Sequence, residues 1–221
     1  MIISELKFSF KIFTSLCTRI CFLELLLYSA TISAQLLHFS HYTTSQGLLS
    51  NNILSMCQDV KGRLWIGTGD GISIYNGESF KNLTPANGLS APMVNAMLVD
   101  KFNKGVIWIG TNGGGLDKYE AGKIRTISIG NSGASNRINS IAEDGKGILW
   151  LATDKGVYLV YKNKERRFRP DLFSEGTNAI ASNGGKVIIP LHKNLVYFIH
   201  EDNGKINSLK LPLESKPWLV V

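Results

Sequence analysis

The stretch Leu64-Trp65-Ile66-Gly67-Thr68 decides the fold, because the chain returns to it twice. Ile107-Trp108-Ile109-Gly110-Thr111 and Leu149-Trp150-Leu151-Ala152-Thr153 repeat it, so that the three tryptophans are 43 and 42 residues apart. Self-similarity at a period of about 40 residues is the sequence signature of a repeat architecture. The repeat therefore takes priority over any single motif in the chain.

The repeat extends to both sides of each tryptophan. An acidic residue precedes the tryptophan by six to eight positions, and a glycine lies between the two. The acidic residues are Asp59, Asp100 and Asp144, and the tyrosines that follow the copies are Tyr75, Tyr119 and Tyr161. A weaker fourth copy surrounds Ile188, which stands in the place of the tryptophan. We expect these acids to form turns, and Trp65, Trp108 and Trp150 to be buried at equivalent places between sheets.

Each copy contains four short runs with strand character. In the first copy they are Ile53–Gln58, Leu64–Thr68, Ile72–Tyr75 and Ser79–Leu83, separated by turns rich in glycine, aspartate and asparagine. Short strands joined by glycine turns favour an all-β fold, and about 42 residues in four antiparallel strands is the size of one β-propeller blade. We therefore predict a partial propeller of about four blades, with repeats near residues 48–83, 89–129, 135–170 and 176–211.

The first 34 residues have the order of a secretory signal peptide. Basic residues come first, an apolar run follows from Ile20 to Ala30, and small residues lead to a cleavage site after Ala34. We predict a signal peptide over residues 1–34 and a propeller domain over 35–221. The alternative is an uncleaved N-terminal anchor, although the apolar run is short for a membrane span. Both interpretations place the remainder outside the cytoplasm.

No cofactor or metal ion is expected from the residues. Leu37–Tyr42 alternates like a strand, so His38 and His41 should point to opposite faces and cannot easily share an ion. Cys57 is the one cysteine outside the predicted leader and fits a small apolar strand residue. The glycines of Gly67–Gly71 join strand to strand, whereas a phosphate-binding loop requires a following helix.

The chain has 221 residues, 44% of them hydrophobic and 19% charged, and a net charge of +7. This composition is typical of a globular domain, and the moderate charge does not indicate nucleic acid as a partner. A basic run, Lys162–Arg169, is either a patch for anions or polysaccharides or a solvated edge strand that resists pairing with other sheets. We favour the edge strand.

The pattern Asp-x-x-Gly-x-Leu-Trp-Ile-Gly-Thr-x-x-Gly-Ile resembles the two-component regulator propeller repeat. Residues 59–75, 100–119 and 144–161 carry it well, and 182–198 carry it weakly. In that family the repeats fill the N-terminal periplasmic sensor region of Bacteroidetes hybrid histidine kinases. Seven-bladed propellers there precede a β-sandwich module, a membrane helix, a kinase core and a response regulator. The resemblance implies periplasmic sensing of an extracellular cue, such as an oligosaccharide, by a protein anchored in the inner membrane.

Two other functions compete with a sensor. A stand-alone secreted binding or scaffold propeller would carry the same repeats, and a propeller enzyme would need a convergent set of catalytic side chains that the sequence does not suggest. We expect no enzymatic activity from this chain, because no kinase histidine or ATP-binding motif appears in it. Expected partners are an extracellular ligand such as an oligosaccharide, the remaining blades and downstream signalling domains of a longer protein, and a second copy in a homodimer.

The turns between the second and third strands are the predicted ligand-binding positions. They share one face of a propeller with the links between blades, and they vary between copies while the strands repeat, as recognition loops do. Their candidate ligand-binding residues are Asp70, Asn112, Asp154 and His192, whose side chains suit sugar hydroxyl groups. The alternative is that these residue types simply serve tight hairpins.

Overall fold

The computed structural model describes residues 39–191 and 194–212. The predicted signal peptide, His38 and His192 therefore lie outside the described residues. The chain divides into two units, Met1–His41 and Tyr42–Val221, and the described strands all belong to the second. Residues 39–42 form no strand, so the predicted strand Leu37–Tyr42 is wrong over the part that the structure describes. Within the second unit, Tyr42 packs on Tyr75 at a ring distance of 5.0 Å.

Four antiparallel sheets of four strands make up the described structure, and the strands of each sheet are neighbours in chain order. The first sheet contains β1 (Ile53–Gln58), β2 (Leu64–Thr68), β3 (Ile72–Tyr75) and β4 (Phe80–Leu83). The second contains β5 (Val94–Val99), β6 (Ile107–Thr111), β7 (Leu116–Glu120) and β8 (Lys123–Ile127). The third contains β9 (Ile138–Glu143), β10 (Leu149–Thr153), β11 (Gly156–Tyr161) and β12 (Lys164–Arg167). The fourth contains β13 (Ala181–Asn183), β14 (Lys186–Leu191), β15 (Leu195–His200) and β16 (Ile206–Lys210).

This arrangement confirms the predicted all-β partial propeller of four blades. The first strands of successive sheets, β1, β5, β9 and β13, lie next to one another, as they do around a propeller axis. Hydrogen bonds connect them from blade to blade: Asn95 Nδ2 donates to the carbonyl of Ile138 at 3.1 Å, and Ser140 Oγ to that of Ile180 at 3.2 Å. No helix among the described residues is long and apolar enough to cross a membrane.

The three tryptophans occupy equivalent places, as predicted. Each lies on the second strand of its sheet and is at most 6% exposed. Each side chain belongs to a buried cluster that also contains residues of the following blade: Trp65 packs with Ile107 and Ile109, and Trp150 with Val187 and Ile189. The tryptophans therefore fill the spaces between consecutive blades.

The first blade has one uncovered apolar face. Leu64 is 37% exposed, whereas the residues at the same position in the next two blades, Ile107 and Leu149, are buried. Leu54 and Met56 on the neighbouring strand are 39% and 61% exposed. In the second and third blades the corresponding face is covered by the preceding blade.

The prediction that Tyr161 is the counterpart of Tyr75 and Tyr119 is wrong. Tyr75 and Tyr119 pair with the residue just before the tryptophan of their blade, and in the third blade Val160 holds that position. Neighbouring residues of a strand point to opposite faces, so Tyr161 is displaced by one position and is 48% exposed. Of the basic run, Lys164–Arg167 form β12, the outermost strand of its sheet, which agrees with the edge-strand interpretation.

Candidate ligand-binding face

The hairpins between second and third strands lie beside the segments that enter each blade. In three blades, a backbone amide of the hairpin donates to the carbonyl of the residue just before the first strand. These bonds run from Gly69 to Asn52, from Asn112 to Met93 and from Asp154 to Arg137, with distances of 3.2, 2.9 and 3.4 Å. Hairpins and interblade links therefore share one end of the sheets, as predicted. We call this end the hairpin face.

A threonine fixes each hairpin in the same way. The hydroxyls of Thr68, Thr111 and Thr153 donate to the carbonyls of Gly71, Gly115 and Gly156 at 3.0, 3.0 and 2.8 Å. The three threonines are fully buried, and the three glycines adopt φ angles between 97° and 143°, which side chains rarely tolerate. The repeat thus builds the base of each hairpin, while the tip residues are free to differ.

The predicted site residues are exposed at these tips, but they are not all equivalent. Asn112 and Asp154 directly follow the threonine. Asp70 occupies the next position, which corresponds to Lys155, because the amides of Asp70 and Lys155 both donate to their threonine hydroxyls at 3.1 Å. His192 lies outside the described residues.

The structure brings two of the predicted residues together around an arginine. Asn112 forms an isolated backbone bridge with Arg137. The Nη1 atom of Arg137 lies 3.6 Å from Oδ2 of Asp154, and Asn139 Nδ2 donates to Oδ1 of the same carboxylate at 2.9 Å. Asp70 contacts none of these residues in the described part of the chain. The Arg137 and Asp154 side chains are 56% and 39% exposed, so their attraction contributes little to stability and both stay accessible.

This group, which we call the Arg137 cluster (Asn112, Arg137, Asn139 and Asp154), can recognise polar ligands. The guanidinium offers several fixed donors, the carboxylate accepts, and the amides do both, which suits sugar hydroxyl or carboxylate groups. Sequence reasoning missed Arg137 and Asn139. The residue before the first strand is Asn52 in the first blade and Met93 in the second, but it is the cation Arg137 in the third. This change was the signal available in the sequence.

Buried polar contacts hold the interblade links against the blades. Asp117 is fully buried and accepts hydrogen bonds from the amide and hydroxyl of Ser90, at 2.8 and 2.9 Å, and from the hydroxyl of Thr126 at 2.6 Å. Burial raises the pKa of Asp117 despite these bonds. In the first blade, Ser73 has the same role and accepts from the amide of Leu49 at 2.8 Å. Hydrogen bonds therefore hold the interblade links of the hairpin face in place.

A comparison with protein families identifies the repeat. The model of the two component regulator propeller matches residues 47–70 and 132–155, which contain the acidic turn, the tryptophan strand and the hairpin threonine of the first and third blades. Two segments, in the first and third blades, therefore match the two-component regulator propeller repeat. A comparison with curated protein sequences finds no match.

Three solved structures share the fold of this chain. The extracellular domain assigned to the hybrid two component system BT3049 from B. thetaiotaomicron is 21% identical, with a TM-score of 0.65 over 77% of this chain. That of BT4673 from the same organism is 22% identical, with a TM-score of 0.55 over 79%. PorZ, a surface component of the type-IX secretion system of Porphyromonas gingivalis, is 16% identical, with a TM-score of 0.54 over 78%. The chain spans 26%, 23% and 28% of these proteins, respectively.

Proposed function

We propose that this chain is a ligand-sensing propeller segment of a two-component signalling system and that it works outside the cytoplasm. The observation that carries the proposal is the division between scaffold and hairpin face. The buried tryptophans, threonines and glycines repeat from blade to blade, while the exposed tips change and assemble the Arg137 cluster in one place. Variable polar loops on a repeated scaffold are the usual arrangement of a recognition surface.

The signalling role rests on the repeat family and on the fold shared with extracellular domains of two hybrid systems. We propose that the segment belongs to the N-terminal sensor region of a hybrid histidine kinase and that the predicted signal peptide exports it to the periplasm. An oligosaccharide is the proposed cue, because the exposed donors and acceptors of the Arg137 cluster suit hydroxyl groups. The recurring acids Asp59, Asp100 and Asp144 are engaged in the fold, which favours a binding role over an enzymatic one.

A second candidate is a stand-alone scaffold or binding propeller at the cell surface. The likeness in fold to PorZ is the observation that favours it. The two candidates differ in what the gene encodes beyond Val221. Reading the genomic sequence there discriminates them directly, because a sensor requires a membrane helix and a kinase core downstream.

Binding on the hairpin face can be tested by titrating the exported protein with a panel of oligosaccharides. We expect the double change Arg137→Ala and Asp154→Ala to weaken binding at least about tenfold, which corresponds to 1.4 kcal/mol. Asp70→Ala is the matched control, because Asp70 is exposed at a neighbouring hairpin but takes no part in the cluster. If the folded double variant binds with the same affinity as the wild type, the ligand does not bind at this cluster.

A further inference from the structure

A cleft opens between the second and third blades at the end of the sheets opposite to the hairpin face. Three turns converge there: β5–β6, β9–β10 and β11–β12. The cleft has a volume of about 420 Å³, and its walls include Phe102, Trp108, Lys118, Lys146, Tyr161 and Lys162. We call it the interblade cleft. The corresponding cleft between the first and second blades is smaller, at about 340 Å³.

One repeat position differs between the two clefts. In the neighbouring interface, the ring of Tyr119 packs edge-on against Trp65 at 4.7 Å, and Trp65 is fully buried. Val160 holds the position of Tyr119 in the third blade. The shorter side chain leaves the indole of Trp108 in the wall of the interblade cleft, whereas Trp65 does not line the smaller one.

A second change places a cation beside this indole. Lys118 pairs across the strands with Trp108, where the first and third blades have Ile74 and Leu159. Its Nζ lies 5.7 Å from the centroid of the indole ring, and its side chain is only 21% exposed. The ammonium group forms an ion pair with Glu120 at 3.0 Å, so this wall is polar where the first and third blades are apolar.

A third change brings aromatic rings to the mouth of the interblade cleft. The β5–β6 turn carries two more residues between its acid and its tryptophan than the matching turns of the first and third blades. Its residue Phe102 is 56% exposed, and a Cβ added to Gly147 would lie 3.4 Å from the Phe102 ring. The displaced Tyr161 is 48% exposed and lines the same cleft.

The charges of the interblade cleft differ in their availability. The carboxylates at its base face protein donors: Asp100 Oδ2 accepts from the Trp108 indole at 2.9 Å, and Glu143 Oε2 accepts from the amide of Lys101 at 2.7 Å. By contrast, Lys162 at the rim has its Nζ 5.1 Å from the centroid of the Tyr161 ring and makes no ion pair with any described residue. Lys118 Nζ is paired with Glu120 Oε2 at 3.0 Å, and Lys146 Nζ donates to the carbonyl of Glu201. The groups open to a ligand are therefore the ammonium group of Lys162 and the aromatic rings of Phe102 and Tyr161.

We propose that the interblade cleft is a second ligand site, for a small ring compound that carries a carboxylate or sulfate group. The volume lies within the range of small-molecule pockets. Aromatic rings provide apolar contact for a flat ring, and Lys162 at the rim attracts the anionic group. Three departures from the repeat converge on this cleft, which is unexpected if each blade were merely a spacer. The site is separate from the hairpin face and does not depend on the function proposed there.

Binding can be tested with two anionic probes and their neutral counterparts, glucuronate against glucose and benzoate against benzyl alcohol. The indole N–H resonance of Trp108 and the tryptophan fluorescence report on the site. We expect each anion to bind at least about tenfold more tightly than its neutral counterpart and to weaken as salt is added. The tighter anion identifies the source of the ring, an acidic sugar or an aromatic acid. Equal binding of neutral and anionic probes, or no binding by either anion, would overturn the proposal.

Variants locate the binding in the cleft. Val160→Tyr restores the repeat tyrosine and should abolish binding, whereas Tyr119→Val in the neighbouring cleft should leave it intact. If Val160→Tyr does not fold, the variants Lys162→Ala and Phe102→Ala test the site instead, because both side chains are exposed. Each variant should weaken binding at least about tenfold. Lys81→Ala, at an exposed lysine of β4 in the first blade, is the matched control for Lys162→Ala and should have no effect. Unchanged affinity in the folded cleft variants would refute the assignment.

Discussion

The indole Nε1 of Trp65 donates a hydrogen bond to Oδ2 of Asp59 at 2.9 Å. The other carboxylate oxygen of Asp59 accepts from the amides of Lys61 and Arg63 at 2.9 and 3.0 Å, so one side chain joins the turn to the core. The same indole–carboxylate bond joins Trp108 to Asp100 and Trp150 to Asp144, again at 2.9 Å. The sequence indicated the turn but not the bond to the indole.

This bond predicts an unusual cost for replacing tryptophan by another aromatic residue. Trp150→Phe keeps much of the apolar surface but leaves Oδ2 of the buried Asp144 without its donor, which should cost about 1–3 kcal/mol of unfolding free energy. Trp150→Ala also opens a cavity and should cost about 3–5 kcal/mol. Urea unfolding measures both. Ile188→Ala, at the matching position of the fourth blade, is the control and should cost less. A phenylalanine variant as stable as wild type would contradict the role of the hydrogen bond.

Acid should destabilise the propeller partly through Asp100. Burial alone would raise the pKa of this carboxyl, but hydrogen bonds from Trp108 and Asn103 outweigh burial and lower the pKa. Because the folded-state pKa lies below the unfolded one, the contribution of Asp100 is present above about pH 4 and is lost as the pH falls through the folded-state pKa. The dependence of unfolding free energy on pH below about 4 should therefore be shallower in Asp100→Asn. An unchanged slope would disprove this linkage.

Asp117 should change the pH dependence of the unfolding free energy in the direction opposite to Asp100. Burial raises its pKa, so its contribution to stability is fully present below the unfolded pKa and is lost as the pH rises through the folded-state pKa. The unfolding free energy of Asp117→Asn should therefore rise relative to that of wild type as the pH increases above about 4, even if the variant is less stable at low pH. Chemical denaturation at a series of pH values gives the difference. A difference that shrinks with rising pH would show that the carboxylate is better stabilised in the fold than its burial suggests.

The hairpin glycines should differ in their tolerance of a side chain. Gly156 has a φ of 99°, and an added Cβ would lie 2.1 Å from the carbonyl oxygen of Phe173. Gly113 has a φ of 106° but nothing within 4 Å of that position. Gly113→Ala should cost only the backbone strain, about 1–2 kcal/mol, and Gly156→Ala should cost clearly more. Thermal unfolding of the two variants compares them, and equal costs would mean that the neighbouring backbone moves away freely.

The exposed face of the first blade should make the isolated chain associate. Met56 and Leu64 are 61% and 37% exposed on a face that is covered in the next two blades, and contiguous apolar patches favour association. We expect oligomers whose proportion rises with concentration in light scattering, and we expect Met56→Lys with Leu64→Lys to reduce them. Leu209→Lys, at an exposed leucine of the last strand, is the control. A monodisperse wild-type chain at high concentration would show that this face does not drive association.

Most of the scaffold could be predicted because the evidence for it is local. The bounds of Ile53–Gln58 and Leu64–Thr68 are those seen in the structure, since glycine and aspartate turns limit each strand on both sides. Tyr161 was misplaced because an aromatic residue one position late imitates the repeat, and only strand pairing shows that Val160 is the counterpart. The contact of Arg137 with Asp154 depends on how a link and a hairpin approach each other in space, which no spacing in the sequence reports.

The pairing of Asp59 with Trp65 lies entirely within one repeat, and this has an evolutionary consequence. When a whole repeat is duplicated or lost in register, the carboxylate and its indole partner are copied or removed together. No blade is then left with a buried carboxylate that lacks its donor, a loss that would otherwise cost about 1–3 kcal/mol. Unequal recombination between repeats can therefore change the number of blades without breaking this pairing.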